Sequence, residues 1–436
     1  PNPAWNNEVP ATFVSLGQVF DVTVRHQGSR WNRRGGSNIS FDCPSHQNGS
    51  AQVRSWRVRF PSYRNWDGLD IIHLQKQSGW PQRISFKMFE LAGVPSPRTS
   101  WSDLRINGCN FNRDAFQIER PGKDLVGRWY DEVGDLFKSQ GYTGDEGPWS
   151  WGDARLIRGT RNRFSESERY EYTFNRKTLG WKNQPEDGKP DIVEPMIEAL
   201  HAARGRGRQA LRQWLSENFD VDQTLRYIST INYVGTFDDM FQNHFLYRKA
   251  EDNKWCMLPW DMDNTLGGAF GQWNANPFRG AEERRVGNVG NRSGWWNRIK
   301  DSFFIAYEQE FLSMFHQLNN TVHSPENLRP VIEAIAAEGG RSGNVNSLMN
   351  HIQRRHGYLN SFIEPRLSPP LLALSLDAGN IVLQWPEGRT DFNLEASASL
   401  FGPWRSVSEG QNVRQDTPTS YTVLPNQAQS FFRLSR

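Results

Sequence analysis

The amino-acid sequence predicts an α+β fold that is followed by a small all-β module. Three observations support this prediction. Alternating apolar and polar residues dominate the first part of the chain, which indicates β-strands. Apolar residues recur at helical spacing from about residue 192 to 234 and again from about 301 to 363. After the Pro-rich segment near residue 365, short alternating runs separated by turn residues continue to the end.

The composition of the 436-residue chain excludes several classes of protein. Its formal net charge of +3 argues against a general nucleic-acid-binding protein. No run approaches the ~20 apolar residues that a membrane-spanning helix needs. The three cysteines, Cys43, Cys109 and Cys256, are far apart and odd in number. We therefore expect buried free thiols rather than a disulfide framework or a cysteine zinc site.

The N-terminal part is predicted to be a sheet that carries arginines. Residues 11–30 alternate around a Gly17-Gln18 turn and run into a loop, which indicates a β-hairpin. The segment SWRVRF at residues 55–60 alternates in the same way and should pair with it. Residues 1–64 contain eight Arg and three acidic residues. Because the guanidinium group matches phosphate oxygens, this excess suits phosphate binding, although a solvated basic face would have the same composition.

Helix and strand patterns alternate through the next part of the chain. Residues 80–93, WPQRISFKMFELAG, predict a helix that stops at a glycine. Two strands are expected around an Asn107-Gly108 turn, and a short amphipathic segment at residues 124–138. Within the helical block that follows, Asp220 can cap the last helix.

The second half of the chain contains a strand pair, a long loop and more helices. Residues 244–260 predict two strands around a polar turn at residues 250–253. Residues 267–295 are rich in Gly, Asn and Arg, and so long a loop beside a site is more often functional than accidental. Helices are expected from about residue 301, and the β-module from residue 371 contains no obvious catalytic set.

Two carboxylates in the segment CMLPWDMDNT, residues 256–265, form the centre of the candidate site. Asp261 and Asp263 follow a predicted strand, where they could hold a metal ion or simply cap a turn. With Thr265 they also match the D-x-D-x-T of haloacid-dehalogenase-like phosphatases, whose first Asp is the nucleophile. No strand-D-D pattern follows to complete that site, and Pro259 fits a central parallel strand badly.

A bare D-x-D would also suit a sugar-nucleotide transferase. However, the preceding residues do not alternate strands and helices as a Rossmann-like half does. The upstream residues favour phosphoryl transfer instead. Asp238 and Asn243 have the D-x-x-x-x-N spacing of a kinase catalytic loop. The predicted hairpin would return Asp261 beside Asn243, so that a loop acid, a loop amide and a strand-end acid share one cleft.

The segment GTFDDMFQNHFLYRKAEDNKWCMLPWDMDNTLGG resembles the signature of the spore-coat-protein-H-like (CotH) kinase family. The resemblance covers residues 11–363 and includes the segments VRHQGSR, GVPSPRTSWSDLRINGCNF, FQIER and GDLFK. It implies a divergent, two-lobed protein-kinase-like domain over residues 1–365. The domains would be a β-rich lobe at about 1–140, a helical lobe at about 141–365, a linker at 366–370 and a β-sandwich module at 371–436.

The resemblance also implies an activity, which is ATP-dependent phosphorylation of Ser or Thr in Ser-rich protein segments, with Mg or Mn. Asp238 would be the catalytic carboxylate. Asn243 and Asp261 would be metal ligands. Asp263 would be either a ligand of a second metal ion or a carboxylate just outside the direct ligands. The residues expected at the nucleotide phosphates are Lys138, Glu119 beside it, Gly28, Arg30 and Arg54.

The sequence departs from the family pattern in the N-terminal loop. Gln27 precedes Gly28 where the family has Arg, and Arg54 replaces an expected Lys. Arg25 or Arg30 could supply the missing cation. The alternative function is therefore a catalytically weak or inactive surface or adhesion protein that keeps the core as a scaffold. We expect a secreted or cell-surface location, although the sequence starts at Pro1 without a Met or a signal peptide.

Overall fold

The computed structural model combines helices with antiparallel sheets, so the fold is mixed α+β, as the sequence predicts. It describes residues 8–27, 55–75, 79–106, 109–112, 116–139, 157–158, 174–176, 192–236, 243–267, 272–281, 296–339, 345–367, 372–377, 380–385, 392–397, 403–407, 413–417, 419–423 and 431–435.

A six-stranded antiparallel sheet forms the N-terminal part, in the order β1-β2-β3-β4-β8-β5. The first hairpin turns at Leu16-Gly17, one residue earlier than predicted, and both turn residues have positive φ. A separate small hairpin, β6-β7, flanks the predicted Asn107-Gly108 turn, which lies outside the described residues. The strands are β1 (Val9–Ser15), β2 (Gln18–Gln27), β3 (Ser55–Arg59), β4 (Ile71–Gln75), β5 (Thr99–Trp101), β6 (Leu104–Ile106), β7 (Cys109–Asn112) and β8 (Phe116–Glu119).

The two faces of this sheet have different chemistry because strand side chains alternate between faces. One face packs an apolar cluster that includes Phe20, Val58 and Ile72. On the other face, the strand register aligns Arg25 with Arg57, and Arg57 with His73, across β2, β3 and β4. The sheet thus has one apolar face and one that presents a row of basic and imidazole groups.

The predicted helix at residues 80–93 is confirmed as α1 (Trp80–Leu91). Pro81 lies in its first turn, where a missing N–H costs no helical hydrogen bond. Gly93 follows the helix in the left-handed region, with φ of 76°. The buried face of α1, which includes Ile84, Met88 and Phe89, packs into the main core of the protein.

The second antiparallel sheet has the order β11-β9-β12-β13. Instead of one amphipathic segment at residues 124–138, the structure forms a short helix, α2 (Lys123–Gly127), and then β9 (Asp135–Ser139). The strand pair predicted at residues 244–260 is confirmed as β12 (His244–Arg248) and β13 (Trp255–Pro259). The short strand β11 (Phe174–Arg176) pairs with β9, and β10 (Ile157–Arg158) pairs with β14 (Trp296–Asn297).

The remaining helices pack mainly on one another, and the helix Val221–Val234 also packs against β13. Asp220 caps one of them as predicted, because its carboxylate accepts a hydrogen bond of 3.0 Å from the backbone N–H of Gln223. The helices are α3 (Val193–Gly205), α4 (Arg208–Asn218), α5 (Val221–Val234), α6 (Arg298–Ala306), α7 (Glu308–Asn320), α8 (Pro325–Glu338) and α9 (Val345–Ile363).

One hydrophobic core joins segments on both sides of residue 140, where the lobe boundary was expected. It contains residues of α1, β8 and β9 together with residues of α5, α7 and α9. Polar contacts reinforce this packing. The indole N–H of Trp101 donates to the carbonyl of Ile335 at 2.8 Å, and the guanidinium of Arg83 contacts Glu338 at 2.6 Å.

The last part of the chain is all-β, with a four-stranded and a three-stranded antiparallel sheet. Both sheets contribute to one apolar cluster around Leu383, Trp385 and Leu394. None of the helices described by the structure is both long and apolar enough to cross a membrane. The strands are β15 (Ala373–Asp377), β16 (Asn380–Gln384), β17 (Asn393–Ser397), β18 (Arg405–Ser406), β19 (Val413–Thr417), β20 (Ser420–Val423) and β21 (Phe431–Ser435).

Candidate functional site

The hairpin β12-β13 brings Asp261 back beside Asn243, as the sequence predicts. Directly after β13, the backbone N–H of Trp260 donates to the carbonyl of Asn243 at 3.1 Å. Asn243 and Asp261 both have left-handed backbone conformations, with φ of 61° and 55°. Asn and Asp tolerate this region better than most residues, so the pair can stand at a sharp chain reversal.

A 3₁₀ turn, Met262–Asn264, follows Asp261 and holds Asp263 at the same end of the hairpin. The carboxylate of Asp263 accepts a hydrogen bond of 2.9 Å from the side chain of Asn264. Asp261 and Asp263 are both partly buried. The turn ends at Leu266, whose N–H donates to the carbonyl of Val234 at the end of α5 at 2.9 Å.

These contacts anchor both flanks of the segment that contains Asp238. Val234 precedes this segment and Asn243 follows it, and both accept a hydrogen bond from the chain around Asp261. Asp238 itself, the predicted catalytic carboxylate, lies outside the described residues. The loop residues Gly28, Arg30 and Arg54 also lie outside them.

Lys138 lies in β9, opposite Phe245 of β12, with its ammonium 5.9 Å from the centre of the Trp260 ring. Burial lowers the pKa of Lys138, an effect that the charge of Asp261 opposes. Burial raises the pKa of Asp261, and the charge of Lys138 opposes that change. Each group therefore stabilises the charged form of the other in a site with little solvent. The ring of Trp260, which directly precedes Asp261, faces the Lys138 ammonium.

The basic row on the N-terminal sheet faces the same region. The His73 ring meets the Trp260 ring edge-on, with centroids 5.7 Å apart, and its Nδ1 lies 3.1 Å from the amide nitrogen of Gln27. Burial lowers the pKa of His73 well below its ordinary value, with further contributions from Arg120, Arg57, Arg25 and Lys138. Basic side chains therefore lie close to His73 on this side of the site, and one of them, Arg57, is paired with Glu8.

Sequence reasoning missed Arg57, His73 and Arg120 as members of this region. The alternation of SWRVRF places Arg57 on one face of β3. It does not determine which neighbouring strand or which aromatic rings that face contacts. Arg25 is one of the two residues, with Arg30, that could supply the missing loop cation. Its charge contributes to lowering the pKa of Lys138, which places Arg25 electrostatically close to the Lys138-Asp261 pair.

Glu119 has surroundings that differ from those expected beside Lys138. It ends β8 opposite Ile72, so it projects from the sheet face opposite to that of His73. Its buried carboxylate pairs with the guanidinium groups of Arg128 and Arg98 and accepts the backbone N–H of Arg98 at 2.9 Å. These contacts give Glu119 a role in fixing β8 against the preceding loop.

The donors at the hairpin end suit a hard divalent cation. Amide and carboxylate oxygens of Asn243, Asp261 and Asp263 are the ligand type that Mg²⁺ prefers. Because burial raises the pKa of the partly buried Asp261 carboxyl, further positive charge beside it would stabilise its charged form. Within the described ranges, no group of three or more His, Cys, Asp or Glu is arranged to hold a metal ion. A cation at the hairpin end would therefore need Asn243 and further ligands besides the two carboxylates.

The fold and the site define a mixed α+β protein with an acidic hairpin end that faces basic side chains. Comparison with known proteins then shows that the chain belongs to the CotH kinase protein family, whose model matches residues 33–366. This confirms the family that residues 235–268 resemble.

Inner spore coat protein H of Bacillus subtilis (strain 168) is 22% identical to the chain over 269 residues. The match covers 60% of this chain and 64% of that protein. Among solved structures, the Shewanella oneidensis MR-1 toxin–antitoxin complex of HipA, HipB and operator DNA matches 67% of this chain and 60% of that chain. The sequence identity is 10% and the TM-score 0.29, which is too low to assign a fold or a function.

Proposed function

We propose that the chain is an atypical protein kinase that phosphorylates Ser or Thr in Ser-rich protein segments, using ATP with Mg or Mn. The observation that supports this most is the position of Asn243 and Asp261 at the end of one hairpin, with Lys138 on the adjacent strand β9. A kinase site needs ligands for a metal ion and a cation that holds phosphate. Asn243 and Asp261 are of the first type, and Lys138 is of the second. A divergent two-lobed kinase-like fold and a secreted or cell-surface location belong to the same proposal.

Asp238 is proposed to align the attacking hydroxyl and accept its proton. Its segment is anchored at both ends to the chain around Asp261, through the hydrogen bonds at Val234 and Asn243. Such anchoring suits a group that must be held within hydrogen-bond reach of the hydroxyl, since catalysis of phosphoryl transfer depends mainly on positioning and electrostatics.

Asn243 and Asp261, with Asp263 beside them, would hold the divalent cation. When bound, Mg²⁺ or Mn²⁺ supplies positive charge against the oxygens of the transferring phosphoryl group. Lys138 would hold phosphate oxygens from the β9 side, and Arg25 would act from the basic row in place of the missing loop Arg. Gly28, Arg30 and Arg54 remain predicted phosphate contacts.

The test is transfer of labelled γ-phosphate from ATP to the chain itself or to a Ser-rich peptide, with Mg or Mn. We expect Asp261→Asn and Asp238→Asn each to reduce transfer by at least about 100-fold, the scale of losing one electrostatic contact in a transition state. Asp222→Asn is the control, because this carboxylate is 63% exposed on α5. If Asp261→Asn transfers phosphate as well as the unchanged protein, the assignment is wrong.

A second candidate is a catalytically inactive surface protein that uses the same core as a scaffold. The sequence departures at Gln27 and Arg54 favour it. Thermal unfolding with and without ATP plus metal separates the two functions. At 100-fold excess over a dissociation constant of ~10 μM, binding should add about 2.7 kcal/mol to the unfolding free energy. No shift at about millimolar nucleotide supports the scaffold.

A further inference from the structure

Two buried hydroxyls link the turn after Asp261 to helix α1. The hydroxyl oxygen of Thr265 lies 2.7 Å from the carbonyl of Met262 and 2.8 Å from the hydroxyl of Ser85. Neither Ser85 nor Thr265 is exposed to solvent. Thr265 has a single hydroxyl proton, which it donates to Met262, so Ser85 donates its own to Thr265. The two residues are 180 positions apart in sequence.

The turn that these hydroxyls hold is conformationally strained. Asp261 and Leu266 border it, and both have positive φ, 55° and 47°. A left-handed Leu is costly for a residue with a bulky side chain, so it persists only where neighbouring contacts enforce it. The carbonyl of Met262 lies between the two candidate ligands Asp261 and Asp263, so its position helps to set the spacing of their carboxylates.

Helix α1 is suited to act as the fixed support for this turn. Its buried face belongs to the main core, and on a different turn of the helix the carbonyl of Met88 contacts the ring of His323 at 3.0 Å. The contact between Ser85 and Thr265 therefore connects the turn to a helix that is packed into the core.

We propose that Thr265 and Ser85 are positioning residues that set the metal-binding geometry of Asp261 and Asp263. This inference rests on the proposed function. Thr265, which gave the sequence its phosphatase-like pattern, thus acts through the backbone of the turn rather than on a substrate. A purely structural role predicts a loss of stability alone, whereas a positioning role predicts weaker metal binding by the folded protein.

The test measures Mn²⁺ binding to the full chain by electron paramagnetic resonance of the free ion, together with unfolding in urea. Thr265→Val keeps the side-chain volume but removes the hydroxyl, and Thr265→Ser restores it. We expect Thr265→Val and Ser85→Ala to raise the Mn²⁺ dissociation constant at least tenfold. Thr265→Ser should stay within twofold of the unchanged protein. In turnover assays the KM for Mn²⁺ should rise more than kcat falls.

Ser96→Ala is the matched control. The Ser96 hydroxyl is also buried and donates to α1, at the carbonyl of Phe86, over 2.9 Å. It should lose comparable stability and keep its Mn²⁺ affinity. Unchanged Mn²⁺ affinity in folded Thr265→Val, or an equal loss of affinity in Ser96→Ala, overturns the positioning role. If the unchanged protein binds no Mn²⁺, the proposed metal site and this inference both fail.

Discussion

His323 should make the stability of this protein depend on pH in a window set by its burial. The side chain is fully buried between α7 and α8, and its Nε2 lies 3.0 Å from the carbonyl of Met88 in α1. Its ring packs against that of Tyr233 with centroids 5.1 Å apart. Burial lowers the pKa of His323 to about 4, although the hydrogen bond to Met88 opposes this shift. The neutral ring therefore donates through Nε2.

The direction of this pH dependence follows from proton binding by His323 in the folded and unfolded states. An unfolded His has a pKa of about 6.5, so between about pH 4 and 6.5 the unfolded chain binds the proton and the folded protein does not. The contribution of His323 to the unfolding free energy is fully present above about pH 6.5, and it falls as the pH decreases through that window. Going from pH 7.5 to 5.0 should cost about 2 kcal/mol at this one site, and the limit at lower pH is about 3 kcal/mol.

The assay is urea unfolding followed by circular dichroism at pH 7.5 and 5.0, for the unchanged protein and for His323→Gln. Gln keeps an N–H that can donate to the Met88 carbonyl, but it does not titrate. Comparing the pH effect in the two proteins cancels other titrating groups, such as His351. The unchanged protein should lose about 2 kcal/mol more than the variant. Equal losses within about 0.5 kcal/mol would refute the assignment of a neutral, buried His323.

Substitutions at two further residues test how α5 is held at its two ends. Arg355 is fully buried and donates to the carbonyls of Asn232 and Tyr233 and to that of Trp273 in the following loop, at 2.6, 3.1 and 2.9 Å. Arg355→Met should therefore lower the unfolding free energy by at least about 3 kcal/mol in urea. Arg355→Lys should not restore the lost stability, since one ammonium cannot reach all three carbonyls. A cost below about 1 kcal/mol would contradict this role. At the other end of α5, Asp220→Ala removes the helix cap and should lower the unfolding free energy by about 1 kcal/mol. Asp220→Asn can still cap the helix and should lower it less. Equal losses would show that the ion pair of Asp220 with Lys249 is responsible instead.

Much of the hairpin site could be predicted from local sequence. Two short, mainly apolar runs on either side of the polar turn at residues 250–253 predicted the two strands. The position of that turn determined which residues meet at the open end of the hairpin. Asn243 and Asp261 therefore had to lie close together, since an antiparallel hairpin returns the chain to its start. The cap at Asp220 followed from its spacing to Gln223, which is equally local. The family itself was recognisable from the residues around Asp261.

Only the tertiary structure decided which distant groups meet this hairpin. Spacing along β3 and β4 places Arg57 and His73 on one face, but packing alone directs that face toward Trp260. The contact of Ser85 with Thr265 depends on how α1 docks. Glu119 shows the same limit, because the strand register turned it toward arginines and away from the face of His73. The local sequence pattern determines which side chains share one face of a helix or strand. Which other elements that face packs against depends on how the whole chain buries its apolar surface.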